Sequence, residues 1–176
     1  VRVAVALERS HLSVLATLAI SAAGGSFVPV DPQEPSARLE SMLDGVGFGI
    51  AARSDIPRLP TIVEWVAVED LALDDEWTPT PVHVDNEAYV IHTSGSTGKP
   101  KAVSITHRGL AGLAAAVVDR YCITNSSRVL HLASPVFDAS IQELLGAFAA
   151  GATLVVAPPT VYAGPALADL IAREKV

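Results

Sequence analysis

The nine residues from Thr93 to Lys101 concentrate groups that suit phosphate binding: four hydroxyls, two glycines and two lysines. Glycines allow successive backbone N–H groups to turn toward one anion. Hydroxyls donate hydrogen bonds to phosphate oxygens, and lysine ammonium groups neutralise their charge. We therefore predict a phosphate-binding loop. Its candidate residues are Thr93, Ser94, Gly95, Ser96, Thr97, Gly98, Lys99 and Lys101.

The spacing of this loop differs from that of the P-loop of NTPases. A P-loop has four residues between its first glycine and the Gly-Lys pair, and a helix follows. Here two residues separate Gly95 from Gly98, and Pro100 favours extended backbone at Lys99. The run Tyr89–Ile91 before the loop is apolar, and Val103–Thr106 after it alternates. This pattern predicts strand, loop, strand, and it disfavours a conventional NTPase.

The charge around the loop supports an anionic ligand. The chain has a formal net charge of −7, yet residues 88–118 contain no Asp or Glu. Lys99, Lys101 and Arg108 all fall in that window. A solvated Ser/Gly turn would explain the glycines and hydroxyls equally well. The two lysines around a proline, directly after a buried strand, favour phosphate binding instead.

Hydrophobic periodicity predicts an α/β fold, in which a layered, mostly parallel sheet is flanked by helices. Predicted strands are Val3–Leu7, Phe27–Val30, Phe48–Ala52, Ile62–Val68, Tyr89–Ile91, Val103–Thr106, Arg128–Leu132 and Thr153–Ala157. Predicted helices follow Ser10, span Ser36–Asp44 and His107–Tyr121, follow a Ser140–Glu143 capping box, and begin at Gly164.

Length and composition predict one domain, 1–176, with an exposed acidic connection at about 70–87. No apolar stretch approaches the roughly 20 residues of a membrane span, and the acidic balance argues against nucleic-acid binding. The single cysteine, Cys122, favours a reducing compartment, so we expect a cytoplasmic protein. The chain starts inside a strand without Met and stops inside a helix, which indicates a piece of a longer protein, incomplete at both ends.

The segment Tyr89–Lys101 resembles the phosphate-loop signature of the adenylate-forming (AMP-binding) enzymes, which include acyl-CoA synthetases and the adenylation domains of nonribosomal peptide synthetases. Ala19–Pro32 resembles a structural motif of the same adenylation domains. Two positions depart from the signature: His92 replaces a tyrosine or phenylalanine, and Ala102 replaces a glycine. If position 102 required positive φ, alanine would cost about 1 kcal/mol.

Asp138 is the second candidate for chemistry, because it lies in apolar company just before a predicted helix. An aspartate there is usually a helix cap. The Ser140–Glu143 box would already cap this helix, and a partly buried carboxylate without a partner needs a cation or donors. In the amino-acid-activating branch of the family, the aspartate of the matching Phe-Asp-x-Ser motif binds the substrate ammonium. Ala139 and Gln142 match positions of that family's side-chain pocket, where Gln142 would present a polar wall. A helix-surface glutamine would look identical.

The resemblance implies part of the large N-terminal subdomain of an enzyme that activates an amino acid with ATP to aminoacyl-AMP and pyrophosphate. The acyl group would pass to phosphopantetheine on a carrier protein, with a condensation domain as a further neighbour. The catalytic lysine and the Mg²⁺-binding glutamate are expected outside these 176 residues, so we assign no catalytic or metal-binding residue here and expect the chain alone to be inactive. The alternatives are an acyl- or aryl-CoA ligase of the same superfamily and a non-catalytic phosphate-binding module.

Overall fold

The computed structural model describes residues 1–71, 78–94 and 100–176. They form two compact units, which are treated separately: residues 1–8 with 12–107, and residues 9–11 with 108–176. Residues 72–77 of the predicted acidic connection lie outside the described residues, as do Gly95–Lys99 of the predicted loop. Residues 78–86 of the same connection are exposed, which fits a solvated segment.

Eight strands and five helices are present in the described ranges. The strands are β1 (Arg2–Ala6), β2 (Ser26–Pro29), β3 (Phe48–Ala51), β4 (Glu64–Ala67), β5 (Glu87–Thr93), β6 (Lys101–Thr106), β7 (Arg128–His131) and β8 (Thr153–Val156). The helices are α1 (His11–Ala22), α2 (Ser36–Met42), α3 (Leu110–Arg120), α4 (Asp138–Ala149) and α5 (Gly164–Glu174).

The first unit is built on a six-stranded sheet in the order β4-β3-β1-β2-β5-β6. The first five strands are parallel, and β6 returns antiparallel to β5 at the edge. Helix α1 connects β1 to β2 and α2 connects β2 to β3, as crossover connections between parallel strands usually do. The predicted α/β class, with a mostly parallel sheet flanked by helices, is confirmed.

The core of the first unit lies between alternate residues of the sheet and α2. Leu39 of α2 and the following Leu43 are both fully buried. They pack with small or β-branched residues of the central strands, including Ala4, Val28 and Val90. Every second side chain of a strand faces the same side of the sheet. The alternation of buried residues along these strands therefore predicts which face α2 covers.

The second unit contains the parallel pair β7–β8, with α4 as the connection between them. Helix α3 packs on α4 at Gly146. A Cβ there would lie 2.8 Å from Val117 Cγ1 and 3.0 Å from Ile123 Cδ1, so only glycine allows this approach. The buried residues Ile141, Leu144 and Ala147 mark the inner face of α4.

Most strand predictions are correct to within two residues, but two helix starts are wrong. Residues His107–Gly109 form a 3₁₀ turn, and α3 begins at Leu110 instead of His107. Helix α4 begins at Asp138 and has no side-chain cap, so the predicted Ser140–Glu143 capping box does not form. Both residues of that box have tertiary or reverse-turn partners instead, which are described with the site.

Within the described ranges, none of the helices has the length and apolar character needed to cross a bilayer.

Candidate functional site

The predicted phosphate loop joins the ends of the β5–β6 hairpin. Thr93 is directly opposite Lys101 in the register, and His92 is opposite Ala102. Directly opposed residues of an antiparallel pair share one face of the sheet. The side chains of Thr93 and Lys101 therefore lie together on one face, and both are exposed, as is Ser94. The hairpin register brings a hydroxyl and a lysine of the predicted set together at the mouth of the loop.

The hairpin rests on a firmly buried strand. Residues 88–91 of β5 are between 1% and 6% exposed, and Tyr89 stacks on Phe27 with ring centroids 5.3 Å apart. An apolar strand anchored on both faces holds its polar end in a fixed direction. The sequence predicted this buried strand from three apolar residues, and the structure extends it to Glu87 and Thr93.

An ion pair fixes the other end of β5. Arg2 donates two hydrogen bonds of 2.7 Å to the Glu87 carboxylate, and Ser104 Oγ of β6 donates to the same group. The Arg2 hydrogen bond is the largest of the effects that lower the pKa of Glu87 to about 2. These contacts tie three strands, β1, β5 and β6, to one carboxylate. The sequence reading did not identify this role for Glu87.

Ala102 carries no strain from replacing glycine. It lies within β6, and among the described residues only Cys122 and Lys175 are non-glycine residues with positive φ. The conditional cost stated for alanine at this position is therefore absent.

His92 lies on the hairpin face opposite Thr93 and Lys101, beside a cavity of about 220 Å³. Its Nδ1 is buried, and no residue in the described ranges hydrogen-bonds to it. Burial lowers the pKa of the imidazole, the Met42 backbone partly opposes this, and the charges of Arg2 and Arg38 lower the pKa further. The cavity is also lined by Asp44 and Ala102.

Asp138, predicted to be partly buried, is exposed and is the first residue of α4. Within the described part of the chain, no side chain or backbone group pairs with its carboxylate. A carboxylate in the first helical turn is stabilised by the helix dipole, so this position does not require burial. The adjacent Phe137 is also exposed, with 61% of its surface accessible.

Ser140 explains why α4 begins earlier than predicted. Its hydroxyl is buried and donates to the carbonyl of Phe137 at 2.7 Å and to that of Pro135 at 3.3 Å. The hydroxyl therefore points back over the preceding turn, and it does not accept from an amide ahead of it as a capping serine would.

Glu143 holds the end of β7. Its carboxylate accepts hydrogen bonds from the amides of Leu132 at 3.1 Å and Ala133 at 3.1 and 3.2 Å. It also lies 2.8 Å from Nδ1 of His131, which is 1% exposed. Sequence reasoning assigned Glu143 to a local helix cap. Only the tertiary contact shows that it interacts with His131.

Arg9 is a second residue that sequence reasoning left without a chemical role. Its guanidinium donates to the carbonyls of Ala157 at 2.8 Å, Pro158 at 2.6 Å and Val161 at 2.8 Å, and also to that of Leu132. The residue is 3% exposed, and its guanidinium carbon lies 5.1 Å from the centroid of the Tyr162 ring. Arg9 thus joins the carboxyl ends of β7 and β8.

Ala139 and Gln142, the predicted substrate-pocket residues, lie on the wall of a cavity of about 640 Å³ in the second unit. They are three residues apart on one face of α4. Glu143 and Gly146 continue that face, and the opposite walls come from β7, the end of α3 and the last two residues. The polar amide of Gln142 is therefore available to a ligand in this cavity.

Metal-binding geometry is lacking in the parts of the chain that the structure describes: no three His, Cys, Asp or Glu residues are grouped closely enough to hold an ion.

Comparison with known proteins gives one consistent family. The family described as AMP-binding enzyme matches residues 1–176. The probable nonribosomal peptide synthetase CymA of Salinispora arenicola is 46% identical over 176 residues, which are 99% of this chain and 2% of CymA. Novobiocin biosynthesis protein H of Streptomyces niveus is 42% identical over 94% of this chain and 30% of its own length.

Among solved structures, the nonribosomal peptide synthetase FmoA3 with AMPPNP bound superposes with a TM-score of 0.88 at 34% identity, over 99% of this chain and 19% of FmoA3. Its complex with alpha-methyl-L-serine-AMP is equally similar. A fused adenylation-PCP di-domain of Klebsiella oxytoca NpsA and ThdA gives a TM-score of 0.87 at 30% identity, over 99% of this chain and 36% of the fusion. The chain thus spans a minor part of each of these proteins.

Proposed function

Because this chain belongs to the AMP-binding enzyme family, we propose that the protein carrying it activates an amino acid with ATP. The substrate carboxylate attacks the α-phosphorus, the bond to the β-phosphate oxygen breaks, and aminoacyl-AMP and pyrophosphate are formed. CymA, a probable non-canonical nonribosomal peptide synthetase, shares 46% identity with this chain, which supports this reaction class.

One observation favours an amino acid over a simple carboxylic acid as the substrate. Asp138 presents a carboxylate with no partner in the described residues, and the next residue, Ala139, lines the cavity of the second unit. An exposed carboxylate at a helix start can accept a charge-assisted hydrogen bond from an ammonium group, which typically contributes about 1.5–3 kcal/mol. A fatty or aryl acid offers no such group.

The hairpin supplies the phosphate-binding half of the proposal. Thr93 and Lys101 share one exposed face at the base of the loop, and they flank Ser94–Lys99 in sequence. As the α-phosphorus bond breaks, negative charge accumulates on the departing pyrophosphate. Donors fixed where charge develops stabilise the transition state more than the ground state. We assign this role to Thr93–Lys101, including Gly95, Ser96, Thr97, Gly98 and Lys99.

The side-chain pocket includes Ala139 and Gln142 in this proposal. A small residue beside Asp138 leaves room for the substrate side chain, and the Gln142 amide offers a donor and an acceptor. A polar substrate side chain fits this wall better than an aliphatic one, because an apolar group that covered the half-buried Gln142 would leave its amide unpaired.

A carrier protein with phosphopantetheine is the proposed acceptor of the acyl group. The NpsA–ThdA fusion, which has the same fold over this region, joins an adenylation domain to a PCP. We extend the proposal to a condensation domain in the same protein and to Mg²⁺ held by residues outside this chain. The 176 residues alone should not form adenylate, because they span only 19% of FmoA3.

Amino-acid-dependent exchange of labelled pyrophosphate into ATP tests the proposal in the full-length protein. We expect exchange above background with one or a few of the twenty amino acids. Exchange with none of them, together with activity on acids that lack an amino group, would identify an acyl- or aryl-CoA ligase. ATP binding without any exchange, weakened by Lys99→Ala and by Lys101→Ala, would identify a non-catalytic phosphate-binding module.

A further inference from the structure

The segment between β7 and α4, residues 132–137, leads directly to Asp138 and is held from two sides. The amide of Leu132 donates to Glu143, and the carbonyl of the same residue accepts from Arg9. The backbone of this one residue is thus held by an anion at its N–H and by a cation at its carbonyl. Charge-assisted hydrogen bonds of this kind are about twice as strong as neutral ones.

Arg9 restricts the movement of the surrounding backbone, because its guanidinium N–H groups donate to main-chain carbonyls. Besides Leu132, it binds the carbonyls of Ala157, Pro158 and Val161. A buried guanidinium is costly unless it is fully hydrogen-bonded. Movement of any one of these carbonyls would leave part of the cation unpaired, so the ends of β7 and β8 are held together as one body.

Glu143 and Asp138 lie five residues apart on α4 and differ completely in their surroundings. Both oxygens of Glu143 are occupied, by the amides of Leu132 and Ala133 and by His131. The carboxylate of Asp138 has no partner in the described residues. The Glu143 carboxylate therefore binds within the protein, whereas the Asp138 carboxylate is available to a ligand.

We propose that Glu143 and Arg9 are positioning residues that set where the Asp138 carboxylate meets the substrate ammonium. This inference rests on the proposed function. Glu143 ties the helix that carries Asp138 to the end of β7, and Arg9 ties that same strand end to β8. Ser140 completes the turn by its bond to the Phe137 carbonyl. Displacing a binding group by about 1 Å can reduce catalytic efficiency about 100-fold.

Glu143→Gln in the full-length protein is the direct test. The amide keeps the size of the side chain, but its NH₂ group faces N–H donors and cannot accept from them. We expect kcat/KM to fall about 10- to 100-fold for the amino acid that gives the highest pyrophosphate exchange. The loss should appear in the KM for the amino acid, with the KM for ATP changed less than about twofold.

Glu69→Gln is the matched control, because the Glu69 carboxylate also accepts from a backbone amide, that of Arg53, which lies outside the 132–137 segment. It should leave both KM values unchanged. An equal rise of the two KM values in Glu143→Gln would indicate a general loss of structure and would overturn the positioning role.

A double-mutant cycle with Asp138→Asn separates this inference from the proposed function. The readout is the ratio of kcat/KM for the amino acid to kcat/KM for the corresponding acid without its amino group. If Glu143 acts through Asp138, Glu143→Gln lowers this ratio in the wild type and has no further effect in Asp138→Asn. Independent, additive effects overturn the positioning role alone. A wild-type ratio in Asp138→Asn overturns both proposals.

Arg9→Lys provides the second variant if Glu143→Gln does not fold. Lysine keeps the charge but loses the planar fork that reaches several carbonyls at once. We expect the same selective rise in the KM for the amino acid, with Arg53→Lys, whose arginine pairs with Asp70 at the surface, as control. An unchanged KM in folded Arg9→Lys would contradict the proposal.

Discussion

The β5–β6 hairpin and the β7–α4 segment both place polar residues at the end of a buried strand, but they use them in opposite ways. In the hairpin, the side chains of Thr93 and Lys101 are exposed and have no hydrogen-bond partners in the described residues. Around residues 132–137, by contrast, the side chains of Glu143, His131 and Ser140 are all hydrogen-bonded within the protein. The first region keeps its polar groups available, and the second uses them to fix one exposed residue, Asp138.

This difference has a consequence for substitutions. Exposed groups that wait for a ligand contribute little to folding, so their loss should reduce activity and spare stability. Groups with buried protein partners contribute to both, because removing one partner leaves the other unpaired. The four substitutions below, in order of expected effect, test whether loss of activity and loss of stability differ between the two regions in this way.

Lys101→Ala should have the largest effect. Removing one donor at the site of developing charge typically costs about 100- to 1,000-fold in rate. We expect this loss in pyrophosphate exchange, with the melting temperature changed by less than about 2 °C, since Lys101 is exposed. Arg173→Ala removes an exposed positive charge elsewhere and is the control. A large drop in stability in Lys101→Ala would contradict the view that the exposed hairpin side chains serve activity and not folding.

Ser140→Ala should lower the free energy of unfolding by about 1–2 kcal/mol, because a buried hydroxyl bonded to two carbonyls is lost. Urea denaturation measures this value. Ser36→Ala, at an exposed helix position, should change stability by less than about 0.5 kcal/mol. A stability equal to wild type in Ser140→Ala would show that the turn before α4 is not held as described.

Arg2→Ala should weaken the base of the hairpin in a pH-dependent manner. The pKa of Glu87 is about 2 in the folded protein, below the ordinary value of 4.5, so the pair stabilises the fold above about pH 5. This contribution is lost as the pH falls toward 2. A shift of this size corresponds to at most about 3 kcal/mol, and the exposure of Arg2 reduces it to about 1–2 kcal/mol.

Urea denaturation of wild type and Arg2→Ala at pH 6 and pH 2.5 measures this effect. The two proteins should differ most at pH 6 and become similar at pH 2.5. A difference that is constant with pH would show that Arg2 acts through packing and not through the Glu87 carboxylate.

His92→Phe should give the smallest effect, a change of less than about 1 kcal/mol in the free energy of unfolding at neutral pH. Phenylalanine removes a buried nitrogen that lacks a partner in the described residues, but it also removes the hydrogen bond of the ring with the Met42 backbone. The folded protein favours neutral His92, whose pKa lies below 6.5. The wild type therefore loses stability as the pH falls below about 6.5, and the variant does not.

Thermal unfolding between pH 5 and 7.5 follows this difference. The gap between His92→Phe and wild type should widen as the pH decreases. A gap that narrows on acidification would mean that protonated His92 is stabilised by the fold.

Local patterns in the sequence predicted the strands and the hairpin, because burial and alternation are properties of neighbouring residues. They predicted β5 and β6 on either side of the loop sequence, and they selected Asp138 as a candidate residue just before a helix. The register that pairs Thr93 with Lys101 depends on the hairpin geometry, which the sequence did not specify.

Long-range contacts account for what the sequence could not predict. Arg9 reaches carbonyls between 123 and 152 residues away, which no local pattern reveals. Glu143 was assigned to a cap because Ser-x-x-Glu is a capping pattern, yet its carboxylate is drawn to amides at the end of β7. The same error placed the start of α4 three residues late and predicted that Asp138 would be partly buried.

Selectivity for the amino group is the most direct test of the central assignment, that Asp138 receives the substrate ammonium. The measurement compares kcat/KM in pyrophosphate exchange for the preferred amino acid and for its analogue without the amino group, in wild type, Asp138→Asn and the control Asp169→Asn. Loss of a charge-assisted contact of about 1.5–3 kcal/mol predicts that the ratio falls about 10- to 150-fold in Asp138→Asn alone. A ratio that stays at the wild-type value in Asp138→Asn would contradict the account.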